Sequence, residues 1–106
     1  MTTLVFVEAD GRRVAVAARD GESVMLAARR AGVEGIVGEC GGGMSCLTCH
    51  CFVAPDVAER IAPASEAETA LLDCLIEQRK TSRLSCQIVV HPGLEGAVFE
   101  LPQWQG

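Results

Sequence analysis

Four cysteines, Cys40, Cys46, Cys49 and Cys86, stand in the spacing C-x5-C-x2-C-x36-C. Thiolates are soft ligands suited to zinc and to iron–sulfur centres. Three of them share one glycine-rich segment, Gly38-Glu39-Cys40-Gly41-Gly42-Gly43-Met44-Ser45-Cys46-Leu47-Thr48-Cys49. Such a set could close disulfides, hold a tetrahedral zinc ion, or bind a 2Fe-2S cluster with two thiolates on each iron. Disulfides require an oxidising compartment. The opening Met1-Thr2-Thr3-Leu4-Val5-Phe6-Val7-Glu8 breaks off after a few apolar residues and has no basic leading region. No secretory signal is therefore expected, and the expected location is the cytoplasm. Cys46-x2-Cys49 is zinc-like spacing, but four-cysteine zinc sites usually pair two C-x2-C turns and this sequence has one. The cluster is the favoured reading, with a zinc-stabilised interaction module as the remote alternative.

The composition of the loop suits a buried anion. Two ferric ions, two sulfides and four thiolates sum to a formal charge of about −2, and about −3 after reduction. Backbone N–H groups pointing inward from a wrapped loop can meet that charge. Such wrapping needs positive φ and close backbone approach, which Gly41, Gly42 and Gly43 permit. Ser45 and Thr48 are candidate hydroxyl donors to sulfur. Hydrogen bonds to the sulfurs and solvent exposure then set the reduction potential.

Plant-type ferredoxins use C-x4-C-x2-C with a distant fourth cysteine. Here the first gap is one residue longer and the loop runs directly into His50. That expansion resembles the adrenodoxin/putidaredoxin family, the vertebrate-type 2Fe-2S ferredoxins, and the chain is similar in character to putidaredoxin-like bacterial members. Ser82-Arg83-Leu84-Ser85-Cys86-Gln87 matches the family's S-R-L-x-C-Q around the fourth ligand. The resemblance covers nearly the whole chain. It implies an α+β, β-grasp (ubiquitin-like) fold with a mixed sheet, one main helix and a shorter acidic helix, as a single 2Fe-2S ferredoxin domain over residues 1–106. It implies Cys40, Cys46, Cys49 and Cys86 as ligands of one 2Fe-2S cluster in an electron carrier, not an enzyme. The electrons would come from an FAD-containing, NAD(P)H-dependent ferredoxin reductase and pass to a bacterial cytochrome P-450 monooxygenase. The alternative is a ferredoxin that supplies iron–sulfur cluster assembly.

The elements that must position these residues read as a compact α+β order. Runs at 3–9 and 12–18 flank Asp10-Gly11, a hairpin signal. Ser23 N-caps a helix to about Arg30, closed by Gly32. A short strand follows the loop at 50–53. Pro55 and Pro63 interrupt 54–64, leaving one helical turn near 57–61. Ser65-x-x-Glu68 is a capping box opening a helix to about Ile76. Strands at 87–90 and 97–101 complete the order. Cys51 and Cys74, outside the ligand set, are both expected to be small buried apolar residues. His50 is expected to tie the loop to the body of the domain by hydrogen bonding; a pair of imidazole ligands is not supported, because His91 lies far off in a Pro-Gly turn.

The net charge of −5 becomes about −7 with a cluster, which excludes nucleic acid as a partner and favours basic protein surfaces. No run approaches the length of a membrane span, and a monomer is expected. On the helix after Pro63, Glu66, Asp73 and Glu77 fall within about 40° of one another, opposite Leu71, Leu72 and Leu75. The resemblance makes that acidic face a docking surface. It is thinner than in adrenodoxin-like relatives, which carry carboxylates where Ala67 and Ala70 stand. Glu39, beside the first ligand, and Trp104, in the tail, are the remaining candidate partner contacts, the latter as an interface anchor.

Overall fold

The structure is a computed structural model and describes residues 1–33, 50–74 and 79–102. Alternation of apolar and polar residues in the first two runs produces a hairpin of β1 (Thr2–Val7) and β2 (Arg13–Ala18), antiparallel with Val7 opposite Arg13. Leu4 and Phe6 of β1 and Val16 and Ala18 of β2 point into the core. The turn is the one Asp10-Gly11 announces: Gly11 takes φ 90° and donates its N–H to the Glu8 carbonyl at 2.8 Å, while the Asp10 carboxylate accepts from Arg12 N at 2.9 Å.

Helix α1 (Val24–Arg30) is bounded as its sequence predicts. Ser23 Oγ accepts from Leu26 N at 3.1 Å. At the other end Gly32, at φ 76°, donates to Arg29 O and Val33 N donates to Ala28 O, the paired bonds of a Schellman cap. Val24, Met25, Ala27 and Ala28 are buried on its inner face. Arg29 and Arg30 occupy the last turn, where cations suit the helix dipole.

Strand β3 (His50–Val53) is buried at every position and pairs antiparallel with β4 (Ser82–Leu84) on one side and β5 (Ala97–Glu100) on the other. β5 runs parallel to β1 and completes a five-stranded sheet of order β2-β1-β5-β3-β4. Phe6 and Phe99, side by side on β1 and β5, stack at 5.6 Å between ring centroids. This mixed sheet with α1 packed on it is the β-grasp arrangement.

β4 is not among the expected strands, and three further elements differ from expectation. Helix α2 spans Pro55–Ala58, so Pro55 starts a helical turn instead of breaking one; at the first position its missing N–H has no partner to lose. Helix α3 spans Glu66–Leu72, the same length as α1, and tightens at Cys74 N to Leu71 O (3.0 Å), short of Ile76. Its last turn has no basic residue and ends on Asp73, a charge that opposes the dipole there. The expected strand at 87–90 is instead a 3-10 turn at Ser85–Gln87 followed by one isolated bridge, Ser23 to Val89. The alternating burial of Ile88, Val89 and Val90 is strand-like, but the backbone bonds go to the start of α1: Val24 N to Ile88 O (2.9 Å), Val90 N to Glu22 O and Gly21 N to Val90 O (both 2.8 Å).

Glu22 secures that clasp. Its carboxylate accepts from both Arg30 guanidinium nitrogens and from Arg19 N at 2.6 Å, and these bonds, Arg30 foremost, lower it from 4.5 to about 2. A carboxyl lowered in the folded state stabilises above its unfolded value and loses that contribution as pH falls toward the folded one. Glu22→Gln should therefore destabilise the protein fully at pH 7. The difference from the parent should shrink between pH 4.5 and 2, as measured by parallel urea unfolding at pH 7, 5 and 3.5.

Candidate metal centre

Antiparallel pairing sets where Cys86 lies. His50, the first residue of β3, lies opposite Leu84, the last of β4. The chain therefore enters β3 from residue 49 at the end where β4 runs out into Cys86. Cys86 is half-buried on the 3-10 turn Ser85–Gln87, and its Sγ accepts a hydrogen bond from Gln87 Nε2 at 3.4 Å. A polar donor aimed at a half-buried sulfur suits a thiolate ligand of an anionic cluster. Cys40, Cys46 and Cys49, with Glu39, Glu77 and Trp104, lie outside the described residues. Among the described residues, Cys51, Cys74 and Cys86 form no disulfide.

His50 is buried at 1% exposure and bonds through Nε2 to Ser82 Oγ at 2.8 Å, tying the start of β3 to β4; the loop it is expected to secure lies outside the described residues. Its ring meets the edge of Phe52 at 4.8 Å, and the Arg79 guanidinium covers that Phe52 ring at 4.0 Å. Burial, with Arg79 nearby, lowers the imidazole from 6.5 to about 4, so the ring is neutral at neutral pH. Ser82 Oγ also accepts from Arg79 N at 2.8 Å, so one hydroxyl fixes both the histidine and the turn into β4. His91 is engaged elsewhere, with Arg60 O and Gly93 N.

Sequence reasoning missed the role of Glu68. Ser65 Oγ accepts from Glu68 N at 3.1 Å, one arm of the capping box. The Glu68 side chain turns inward to 1% exposure instead of completing the second arm. Its carboxylate accepts from Arg83 Nε at 2.7 Å, from Arg83 Nη2 at 3.0 Å and from Leu84 N at 3.0 Å. Arg83 Nη1 adds a bond to Ala62 O at 2.8 Å. The signal was present, since Arg83 and Leu84 belong to the same segment as Cys86, but periodicity does not say which carboxylate they meet.

Two of the three residues of the expected acidic face, Glu66 and Asp73, lie among the described residues. Glu66 and Asp73 are exposed, Ala67 and Ala70 beside them are exposed and uncharged, and Leu72 is buried on the other side. Glu68 adds nothing to this surface. Cys74 corrects an expectation: it is exposed, because it sits in the turn beyond the last buried residue of α3, where its Sγ donates to Ala70 O at 3.7 Å. Cys51 is fully buried, as expected.

Residues 7–91 match the model of the 2Fe-2S iron-sulfur cluster binding domain. Putidaredoxin of Pseudomonas putida is 41% identical over 98% of this chain and its own full length; rhodocoxin of Rhodococcus erythropolis is 42% identical over 99% of each. Among solved structures, reduced putidaredoxin carrying a cysteine-to-serine substitution superposes with TM-score 0.95 at 39% identity, over 99% of this chain and all of that one. Putidaredoxin in a covalent complex with putidaredoxin reductase gives 0.91 at 40%, over 95% of this chain and 98% of that one. An ISC-like 2Fe-2S ferredoxin of Pseudomonas putida gives 0.82 at 27%, over all of this chain and 96% of that one. The chain belongs to the 2Fe-2S ferredoxins of the adrenodoxin/putidaredoxin type. It carries one 2Fe-2S cluster and is an electron carrier, not an enzyme, which sets the zinc reading aside.

Removing one member of a buried ion pair leaves the other uncompensated, at a cost of about 3–5 kcal/mol. Glu68→Ala should therefore strongly lower the urea midpoint. Glu68→Leu combined with Arg83→Met should be less damaging than Glu68→Ala alone, with all three chains compared in the same denaturation series.

Proposed function

We propose that this chain takes single electrons from an FAD-containing, NAD(P)H-dependent ferredoxin reductase and delivers them to a bacterial cytochrome P-450 monooxygenase. The observation that carries this reading is the full-length similarity to putidaredoxin, which has been solved in covalent complex with its reductase. The bound cluster supplies a one-electron couple at the protein surface. Its proposed ligands are Cys40, Cys46, Cys49 and Cys86, a choice supported by their spacing and by the donor that Gln87 presents to Cys86. The carrier would work as a cytoplasmic monomer, and no helix among the described residues is long and apolar enough to cross a membrane.

Docking follows from charge. Glu66 and Asp73, exposed on α3, with Glu77 beyond them, would meet Arg and Lys of the reductase. Glu39 and Trp104 would serve the cytochrome. The cluster-assembly reading has weaker support, because the ISC-like relative is 27% identical against 39–42% for the putidaredoxin-like ones.

Replacing any of Cys40, Cys46, Cys49 or Cys86 with Ser should abolish or badly destabilise the cluster, since a hard alkoxide replaces a soft thiolate poorly. Cys51→Ser and Cys74→Ala should keep the red-brown visible spectrum and the S = 1/2 EPR signal of the reduced protein. Loss of colour in Cys51→Ser but not in Cys49→Ser would reassign the ligands.

Glu66→Gln with Asp73→Asn should raise the reductase's apparent KM, and added salt should do the same, because exposed pairs are screened over about 10 Å at 0.1 M. Glu39→Ala, or truncation after Pro102, should slow transfer to the cytochrome more than reduction by the reductase. Stopped-flow measurement of both half-reactions on each variant separates the two surfaces. Equal losses in both halves would point to a damaged fold.

A further inference from the structure

Gln87 directly follows Cys86 on the 3-10 turn, and both are half-buried. A thiolate has no proton to give, so the amide nitrogen of Gln87, and not its oxygen, faces the sulfur. We infer that Gln87 is a positioning residue for the redox step: its side-chain N–H, donated to Cys86 Sγ, stabilises the reduced state and raises the reduction potential. The inference rests on Cys86 being a cluster ligand.

The step is the gain of one electron, supplied by the reductase, which converts one ferric ion to ferrous; no bond is broken and no proton moves. The added negative charge spreads onto the ligand sulfurs, so a donor to sulfur binds the reduced state more strongly than the oxidised one. The fold holds the backbone that carries that donor. Ile88 N closes the turn onto Ser85 O at 3.3 Å, and Ile88 O is bonded to Val24 N at 2.9 Å. The Gln87 side chain lies on the wall of a groove of about 180 Å³ with Ile61, Ala62, Ile88, Val89 and His91. Those walls are largely apolar and offer the Gln87 amide few other acceptors. The polar residue among them does not compete, because both ring nitrogens of His91 are engaged by Arg60 O and Gly93 N.

The test is a spectroelectrochemical titration of the holoprotein and its variants, with visible and EPR spectra and thermal melting recorded on each. Gln87→Met keeps the shape and removes the donor. At the parent's midpoint it should show a reduced-to-oxidised ratio about three- to tenfold lower, which is a fall of about 30–60 mV at 59 mV per tenfold. Its spectrum and melting temperature should match the parent's. Gln87→Lys restores an N–H donor and should hold the potential at or above the parent's. A Gln87→Met protein with an intact cluster and an unchanged potential overturns the inference and leaves the ligand assignment standing. A Cys86→Ser protein with the parent's spectrum and potential overturns the ligand assignment and the inference together. If Gln87→Met does not retain its cluster, Gln87→Leu is read in the same way; failure of both to assemble overturns a role confined to the potential.

Discussion

A carboxylate taken out of water is tolerated only when its charge is paired and its oxygens are bonded. Glu68 meets that condition through Arg83 and the Leu84 N–H. Because the three donors come from β4 and the acceptor from α3, the helix can dock on the sheet in one register only. That register carries two consequences. It directs β4 into the turn holding Cys86, and it turns Glu66 and Asp73 to solvent. The acidic surface and the Cys86 turn are thus two ends of one electrostatic clamp.

A second group of contacts fixes the entrance of β3. His50 is bonded to Ser82, packed against Phe52 and kept neutral by burial and by Arg79. The imidazole serves there as a structural tie between β3 and β4. The start of α1 plays the matching part on the other side: residues 21–24 hold residues 88–90 by backbone bonds, and the Glu22–Arg30 pair holds residues 21–24. The Cys86 turn is therefore clamped from α3 before it and from α1 after it.

Charge counting along the chain overstates the surface available to a partner. Glu68 is acidic and lies on α3, yet it is spent inside the fold. Ala67 and Ala70 are exposed where further carboxylates would broaden the patch. Among the described residues, the remaining acidic face of this helix is carried by Glu66 and Asp73.

The spacing of Cys40, Cys46, Cys49 and Cys86 and the Ser82–Gln87 motif identified the class of protein and its cofactor without any coordinates, because a cluster demands particular ligands at particular separations. Local signals were equally legible where one segment satisfies itself: the Asp10-Gly11 turn, the Ser23 and Ser65 caps and the Gly32 stop are all where their short-range chemistry puts them. What failed to show in the sequence was every choice between partners distant in the chain. Glu68 reads as the second arm of a capping box, and tertiary structure gave it to Arg83, 15 residues away. Residues 87–90 alternate like a strand, and their backbone was claimed by the start of α1. Cys74 reads as a small buried residue, and the early end of α3 left it outside. A motif records which groups are present, whereas only packing decides which of several chemically adequate partners lies within hydrogen-bond reach.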